Sequence, residues 1–361
     1  MPRSKFPVEL FPCTINNPTL LAIPPRLRRA LAWLIVTVFC SLYYVLPGLV
    51  LASVALAYRG YRRAALGIAA LLVAGACAPV RERASVRRFC QIFYEIFGVR
   101  HNLSDARIRV VVEDCVLRGD RFILGMHPHG VVPIQALLWA AYADQYLRTP
   151  EHGTVYGFGG MATVILYLPG LRTLLGWLTG TPATYANLRH NLTSSTDKGE
   201  TFQGRHPGRN LYMLPGGVAE IFSASPGTHT VVWKPRRGLC RLALETGARL
   251  VPMYIFGGND FFQQMLTSDS WLSRTSRSLG LSLTLFWGWR WWAPVVPLVP
   301  RHGVSIVLSE PMPSRRAKAA DGKPTEEEID AVHAEYEATL RALFDEYKGA
   351  CGYPDGELVV R

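Results

Sequence analysis

The feature that most constrains this chain is a run without a charged side chain, Ala30 to Tyr58 (ALAWLIVTVFCSLYYVLPGLVLASVALAY). It is 29 residues long, where about 20 apolar residues suffice to cross the hydrocarbon core of a bilayer. Arg59, Arg62 and Arg63 follow, and then a second uncharged run of 17 residues, Ala64 to Val80. The first run is too long, and starts too late, for a cleaved signal peptide. Pro47-Gly48 in its middle offers one arrangement, a re-entrant bend. The two runs joined by the basic turn offer another, a two-pass hairpin. Arginines flank both runs, so the charge of the loops does not choose an orientation. Either arrangement leaves the long remainder of the chain on one side of the membrane, which we take to be the cytosol.

The formal net charge is +12. Nucleic acid is one partner for such a chain, but no nucleic-acid motif is present. Basic charge beside membrane segments more naturally meets anionic head groups or an anionic substrate. The seven cysteines (Cys13, Cys40, Cys77, Cys90, Cys115, Cys240, Cys351) are scattered and form no CxxC pair. They read as reduced structural thiols, in keeping with a cytosolic face.

Beyond the apolar region the pattern alternates between strands and helices. RIRVVVEDCVL (Arg107 to Leu117), DRFILGM, NLYMLPGG, HTVVWKP, RLVPMYIFGG and GVSIVLSEPM are strand-like. Arg237 to Thr246 reads as a helix stopped by Gly247. This order implies an α/β sheet flanked by helices. A last helix starts at Thr325, with Glu328 completing a capping box. Ile329, Val332, Tyr336, Leu340, Leu343, Phe344 and Tyr347 make its apolar stripe, which should lie on the sheet. Leu283 to Trp292 (LTLFWGWRWW) holds four of the nine tryptophans. It reads either as a loop at the membrane interface, where Trp is favoured, or as a buried aromatic cluster.

Three turns at strand ends carry the candidate chemistry: His127-Pro128-His129-Gly130, Pro215-Gly216-Gly217 with Glu220 behind it, and Phe256-Gly257-Gly258-Asn259-Asp260. Ligands of open α/β sheets gather at such carboxyl ends. The His127/His129 spacing does not suit zinc, which favours helical i, i+4 pairs or longer separations, and no Cys cluster completes a set. No G-x-S-x-G elbow supplies a serine nucleophile, and no cysteine neighbours the HPHG or PGG turns. Direct base catalysis remains, because a histidine near its ordinary pKa of about 6.5 can take a proton from a hydroxyl. Glycine N–H groups can stabilise the oxyanion of an acyl transfer.

HPHG, then LPGGVAEIF, then RRGLCRLALETGARLVPMYIFGGNDFF resembles the diacylglycerol acyltransferase type 2 family, which includes monoacylglycerol and wax-alcohol acyltransferases. The resemblance runs from about Phe93 to Arg361 and extends to the apolar hairpin ahead of the motifs. It implies a glycerolipid-acyltransferase-like α/β fold, with residues 1–29 as a basic tail, 30–81 as a transmembrane or re-entrant hairpin and 82–361 as the acyltransferase domain. It also implies acyl transfer from acyl-CoA to diacylglycerol or a related lipid acceptor, at the endoplasmic reticulum membrane and on lipid droplets. The co-substrate is acyl-CoA; no further cofactor, no metal and no nucleic acid are expected, and self-association is left open. His129 is the expected base, His127 holds the turn or shares the proton, and Glu220 is the acidic partner, with Asp260 next in line. Gly130, Gly216 and Gly217 are the candidate oxyanion donors. Lys234, Arg236 and Arg237 are candidates for the CoA phosphates, since basic groups pair with phosphate oxygens. Two departures stand out. Broader glycerolipid acyltransferases carry Asp five residues after His, where this chain has Val132 and Ile134, and Tyr185 stands where the family more often has a basic residue. A non-catalytic lipid-binding membrane protein is the competing reading.

Overall fold

The computed structural model describes residues 8–81, 83–103, 121–149, 153–154, 157–193, 199–201, 204–206, 210–280 and 282–361. The strand expected over Arg107 to Leu117 lies outside the described residues.

An eight-stranded sheet forms the centre. Its strands are β1 (Phe11–Pro12), β2 (Val99–His101), β3 (Phe122–His127), β4 (Gly157–Met161), β5 (Gly180–Pro182), β6 (Asn210–Met213), β7 (Arg249–Phe256) and β8 (Val304–Leu308), in spatial order β1-β2-β8-β7-β3-β6-β4-β5. The run β7-β3-β6-β4-β5 is parallel, and β8 is antiparallel to β7. Every residue of β3 is buried. An unbroken apolar run of this kind marks a parallel strand covered on both faces. The expected α/β sheet flanked by helices is therefore present.

Two expectations of local structure need revision. HTVVWKP contributes only Thr230–Val231, which pairs in parallel with Val359–Val360 outside the main sheet. Pro235 interrupts the run, and the Trp233 and Lys234 amides both donate to the Arg361 carbonyl (2.9 Å each) instead of a sheet neighbour. Conversely, β4 and β5 arise from GFGGM and GTP, glycine-rich segments with weak strand propensity. Tertiary contact overrides propensity here: a Cβ on Gly157 would sit 2.0 Å from the Asn210 carbonyl oxygen on the neighbouring strand.

The described helices include α1 (Pro25–Tyr58), α2 (Arg62–Cys77), α3 (Ile134–Tyr146), α4 (Val218–Ile221), α5 (Arg237–Thr246) and α6 (Glu326–Tyr347). α5 ends at Gly247 with φ of 71°, and α6 starts with the expected Thr325/Glu328 capping box. α1 runs unbroken through Pro47, so that proline does not turn the chain back. The reversal falls at Arg59–Tyr61, and α2 returns alongside α1, with Ser53 Oγ donating to the Ala65 carbonyl at 3.0 Å. Among the described residues α1 is the helix long and apolar enough to cross a membrane. Trp287, Trp289, Trp291 and Trp292 are exposed, so these tryptophans do not form a buried cluster; Phe286 of the same stretch is the residue that turns inward.

The two halves of α1 differ. Arg28, Ala32, Val36, Phe39, Cys40 and Leu46 are buried along one stripe. Arg28 pairs with Glu95 and donates to the Leu20 carbonyl at 2.9 Å, and Trp33 meets Phe97 edge-on at 6.1 Å. Beyond Pro47, Leu49, Val50, Leu51 and Val54 are exposed. The first half is thus part of the protein core and the second half is not. Removing the carboxylate leaves the largely buried Arg28 guanidinium with carbonyl partners only and its charge uncompensated. Glu95→Ala should therefore lower the thermal unfolding midpoint of the detergent-purified protein and make the Arg28 region more accessible to protease; an unchanged midpoint would show that the pair does not fasten α1.

Candidate active site

The three glycine or histidine turns end neighbouring parallel strands. β3 delivers HPHG, β6 delivers PGG and β7 delivers FGG, and the sheet places β3 between the other two. Tyr254 is paired with His127, and Met213 with Gly125. All three turns consequently emerge at one edge, where ligands of parallel sheets bind. Gly130, at φ +67°, lies so close to the third turn that a Cβ would be 2.7 Å from the Gly258 carbonyl oxygen.

Glu220 joins the first two turns. Its side chain is almost fully buried. Oε2 accepts the His129 backbone N–H (2.6 Å), and Oε1 accepts the Val232 N–H (2.7 Å). The local backbone explains its placement. Gly217 has φ +54°, a conformation glycine adopts readily, and it opens the single turn of α4 that carries Glu220. The carboxyl folds back over Gly216, where an added Cβ would stand 1.9 Å from Glu220 Cδ. Glu220 therefore reaches the backbone of His129 and not its ring.

The two histidines occupy different environments. His127 is fully buried. Its Nε2 is 3.1 Å from the Tyr336 hydroxyl of α6, its Nδ1 is 3.5 Å from Glu220 Oε1, and Trp233 packs edge-on against the ring. Tyr336 also donates to the Gly125 carbonyl (3.2 Å) and stacks on Trp233 at 4.0 Å. Burial holds the Tyr336 pKa well above 10, so this hydroxyl remains a donor. His129 is only partly buried. Its Nδ1 lies 2.9 Å from the Gly130 carbonyl oxygen. A carbonyl only accepts, so in the neutral ring Nδ1 carries the proton and Nε2 carries the lone pair. Burial lowers the His129 pKa below 6.5, opposed by the Gly130 carbonyl and Glu220 and assisted by Arg236. The ring is then neutral at neutral pH.

The other expected residues are distributed as follows. Arg236 Nη2 donates to the Gly216 carbonyl at 2.7 Å, which puts a guanidinium against the PGG turn. Arg237 is committed to α6 through Glu326 (3.0 Å) and Asp330. Lys234 is exposed. The Gly217 N–H closes a turn onto the Leu214 carbonyl (3.2 Å). Asp260 braces a separate loop, accepting from Gly227 N (2.8 Å) and the Tyr353 hydroxyl (2.5 Å).

Sequence reasoning missed Tyr336 and Gln135. Tyr336 was counted in the apolar stripe of α6, but a buried tyrosine hydroxyl demands a partner, and that demand is the signal. Gln135 is a lone polar residue at the start of the apolar helix α3. Its Nε2 donates to the Pro128 carbonyl (2.8 Å) and to the His129 carbonyl, clamping the turn from the side opposite Glu220.

This geometry accompanies a family match. The family model described as diacylglycerol acyltransferase matches residues 96–361, and the chain belongs to that family. It is an acyl-CoA-dependent O-acyltransferase. Among curated relatives, human diacylglycerol O-acyltransferase 2-like protein 6 is 29% identical over 245 residues, 65% of this chain and 68% of the relative. Human 2-acylglycerol O-acyltransferase 3 is 30% identical over 264 residues (68% and 70%). Diacylglycerol O-acyltransferase 2 of Danio rerio is 29% identical over 266 residues (70% and 68%). No solved structure matches the chain.

Glu220 and Gly216 should behave as one unit. Gly216→Ala displaces the carboxyl, and Glu220→Gln replaces one acceptor oxygen by a donor facing an N–H. Each should lower turnover, with acyl-CoA KM little changed, as expected when the backbone that positions the His129 ring is disturbed while the binding surface is left in place. The double variant should be no worse than the poorer single one, since residues in contact are not additive. Additive losses in a double-mutant cycle would separate the two roles.

Proposed function

We propose that this chain transfers a fatty acyl group from acyl-CoA to diacylglycerol, forming triacylglycerol, with His129 as the general base. The observation that carries this reading is the His129 Nδ1 to Gly130 carbonyl contact, which leaves Nε2 unprotonated on a residue that is only partly buried. In the reaction Nε2 takes the proton of the acceptor hydroxyl as its oxygen attacks the thioester carbonyl. The tetrahedral oxyanion collapses, the C–S bond breaks, and the CoA thiolate recovers the proton from the imidazolium. His127, buried behind the turn, supports it from the Tyr336 side. The Gly130 N–H is the candidate oxyanion donor in the first turn, and the Gly216 N–H in the second. Lys234 and Arg236 are better placed for the CoA phosphates than Arg237, whose charge is already met by α6. Relatives named as 2-acylglycerol O-acyltransferases support monoacylglycerol as the second acceptor to test. The helical hairpin supports insertion in a membrane, which we assign to the endoplasmic reticulum with the catalytic domain on the cytosolic face and a share of the protein on lipid droplets.

The deciding assay supplies labelled oleoyl-CoA and a panel of diacylglycerol, monoacylglycerol and long-chain alcohol to the membrane-bound protein. Labelled triacylglycerol as the main product supports the reading; label only in diacylglycerol or wax ester moves the acceptor, and no labelled ester at all overturns the activity.

His129→Ala should reduce turnover at least about a hundredfold, the lower figure for a positioned base. Because burial depresses the His129 pKa, the neutral base persists to below pH 6.5. The acid limb of the rate profile should therefore lie below that value and vanish in the variant. A limb centred above 6.5 would assign it to another group. Washed, denatured enzyme exposed to acyl-CoA alone should carry no acyl label.

A further inference from the structure

Two loops of the catalytic domain flank the hairpin at one level, and both present aromatic side chains to the outside. On one flank, the Tyr44 hydroxyl accepts the Phe286 N–H at 2.8 Å and donates to the Phe286 carbonyl, while both Tyr43 and Tyr44 rings pack on Phe286. Phe286 itself is buried against Phe262. On the other flank, Leu42 lies against Gly170 and Gly75 against Pro169.

The arginines at the hairpin tip fix where this level falls in a bilayer. Arg59, Arg62 and Arg63 are exposed. Each would cost about 2.5–3.5 kcal/mol at the hydrocarbon centre, so the tip belongs at the far head groups. A hydrocarbon core of about 30 Å corresponds to about 20 helical residues. Twenty residues back from Tyr58 lies Phe39, with Leu42 to Tyr44 roughly 5–8 Å inside it at 1.5 Å per residue. That is the near-side boundary, where tryptophan and tyrosine rings are favoured because one end is apolar and the other stays wet.

Both flanks carry such rings. Tyr167, three residues before Gly170, is 53% exposed, and Trp289, Trp291 and Trp292 are 54%, 80% and 61% exposed. The tryptophan segment is not slack. Gly288 N–H donates to the Pro294 carbonyl (2.9 Å), Trp289 N–H to the Val296 carbonyl (2.8 Å) and Ala293 N–H to the Arg290 carbonyl (2.9 Å). This tight turn holds its rings outward, with Trp289 and Trp292 edge to face at 5.5 Å and the Arg290 guanidinium 5.5 Å from the Trp289 ring.

We infer that Trp289, Trp291 and Trp292, with Tyr167 across the hairpin, form an aromatic collar that seats the catalytic domain in the near-side interface of a phospholipid bilayer. The inference rests on the hairpin being membrane-inserted and adds a second, independent contact. The turn is joined to α1 through Tyr44, so its depth is set by the helix. Arg290 supplies a cation at phosphate level.

The test uses the full chain reconstituted in phosphatidylcholine vesicles containing lipid brominated either high or low on the acyl chain. Wild type is compared with a Trp289→Phe/Trp291→Phe/Trp292→Phe variant, so quenching common to both is subtracted. Vesicle flotation is run alongside. The expected result is flotation of both proteins, and a difference signal quenched more by shallow than by deep bromines and shielded from aqueous iodide. If the protein floats but the difference signal is quenched by iodide and not by bromolipid, the collar is in water and the inference fails while the membrane reading stands. If neither quencher reaches it, a second copy of the chain covers the turn, and the inference also fails. If the chain does not float, the hairpin reading fails and takes the collar with it.

Discussion

A carboxylate held in the protein interior organises the active region. A polar group taken out of water must find hydrogen-bond partners, and Glu220 does so with two short contacts to backbone N–H groups, one from each neighbouring segment. Several features of the neighbouring chain follow. Gly216 has no side chain because the carboxyl occupies that space. Gly217 takes a positive φ because the helix carrying Glu220 must start at that point. The HPHG turn is held between Glu220 on its amide side and Gln135 on its carbonyl side. The imidazole of His129 inherits its position from a backbone clamped at both faces. A side chain that does not touch the His129 ring thereby fixes where that ring stands.

Much of this was legible in the sequence, for identifiable reasons. Strands β3, β7 and β8, helix α5 with its glycine cap and helix α6 with its capping box follow local rules, and local rules are visible in a linear pattern. β4 and β5 are not, because GFGGM and GTP become strands only when a neighbour approaches closer than any side chain allows. The motifs of the site were legible as three separate turns. Their meeting depends on the strand order β7-β3-β6, which no spacing encodes. The sequence offers Glu220 as an acidic partner for the imidazoles, but its attachment to the His129 and Val232 amides is hidden, because a sequence names side chains and not the backbone groups they seek. Tyr336 was hidden for another reason. A tyrosine at a core position looks like any aromatic until the fold puts a carbonyl and an imidazole beside its hydroxyl.

The stretch from Thr228 to Arg237 shows how distant parts converge on the same turns. Val232 supplies one of the two donors to Glu220, Trp233 packs on both His127 and Tyr336, and Arg236 holds the Gly216 carbonyl. Residues 359–361 secure this stretch by pairing with Thr230–Val231 and accepting the Trp233 and Lys234 amides. A local fault anywhere along it is transmitted to the histidines through direct contacts.

The divided character of α1 has a consequence for how its sequence can vary. Between Arg28 and Leu46 the helix is read by another surface, so volume and register matter at every fourth position or so. Inserting one residue there would rotate everything beyond it by about 100° and displace it by about 1.5 Å, pulling Tyr44 away from Phe286. Between Leu49 and Tyr58 the outward side chains meet no fitted surface among the described residues, and the hydrocarbon of the proposed membrane would accept leucine, valine or alanine alike. One continuous helix thus has a keyed shaft and an interchangeable tip: exchanges among apolar residues should be tolerated at the tip and not along the shaft, and in the proposed inserted state a thicker bilayer is met by lengthening the tip without moving the shaft from the domain it packs on.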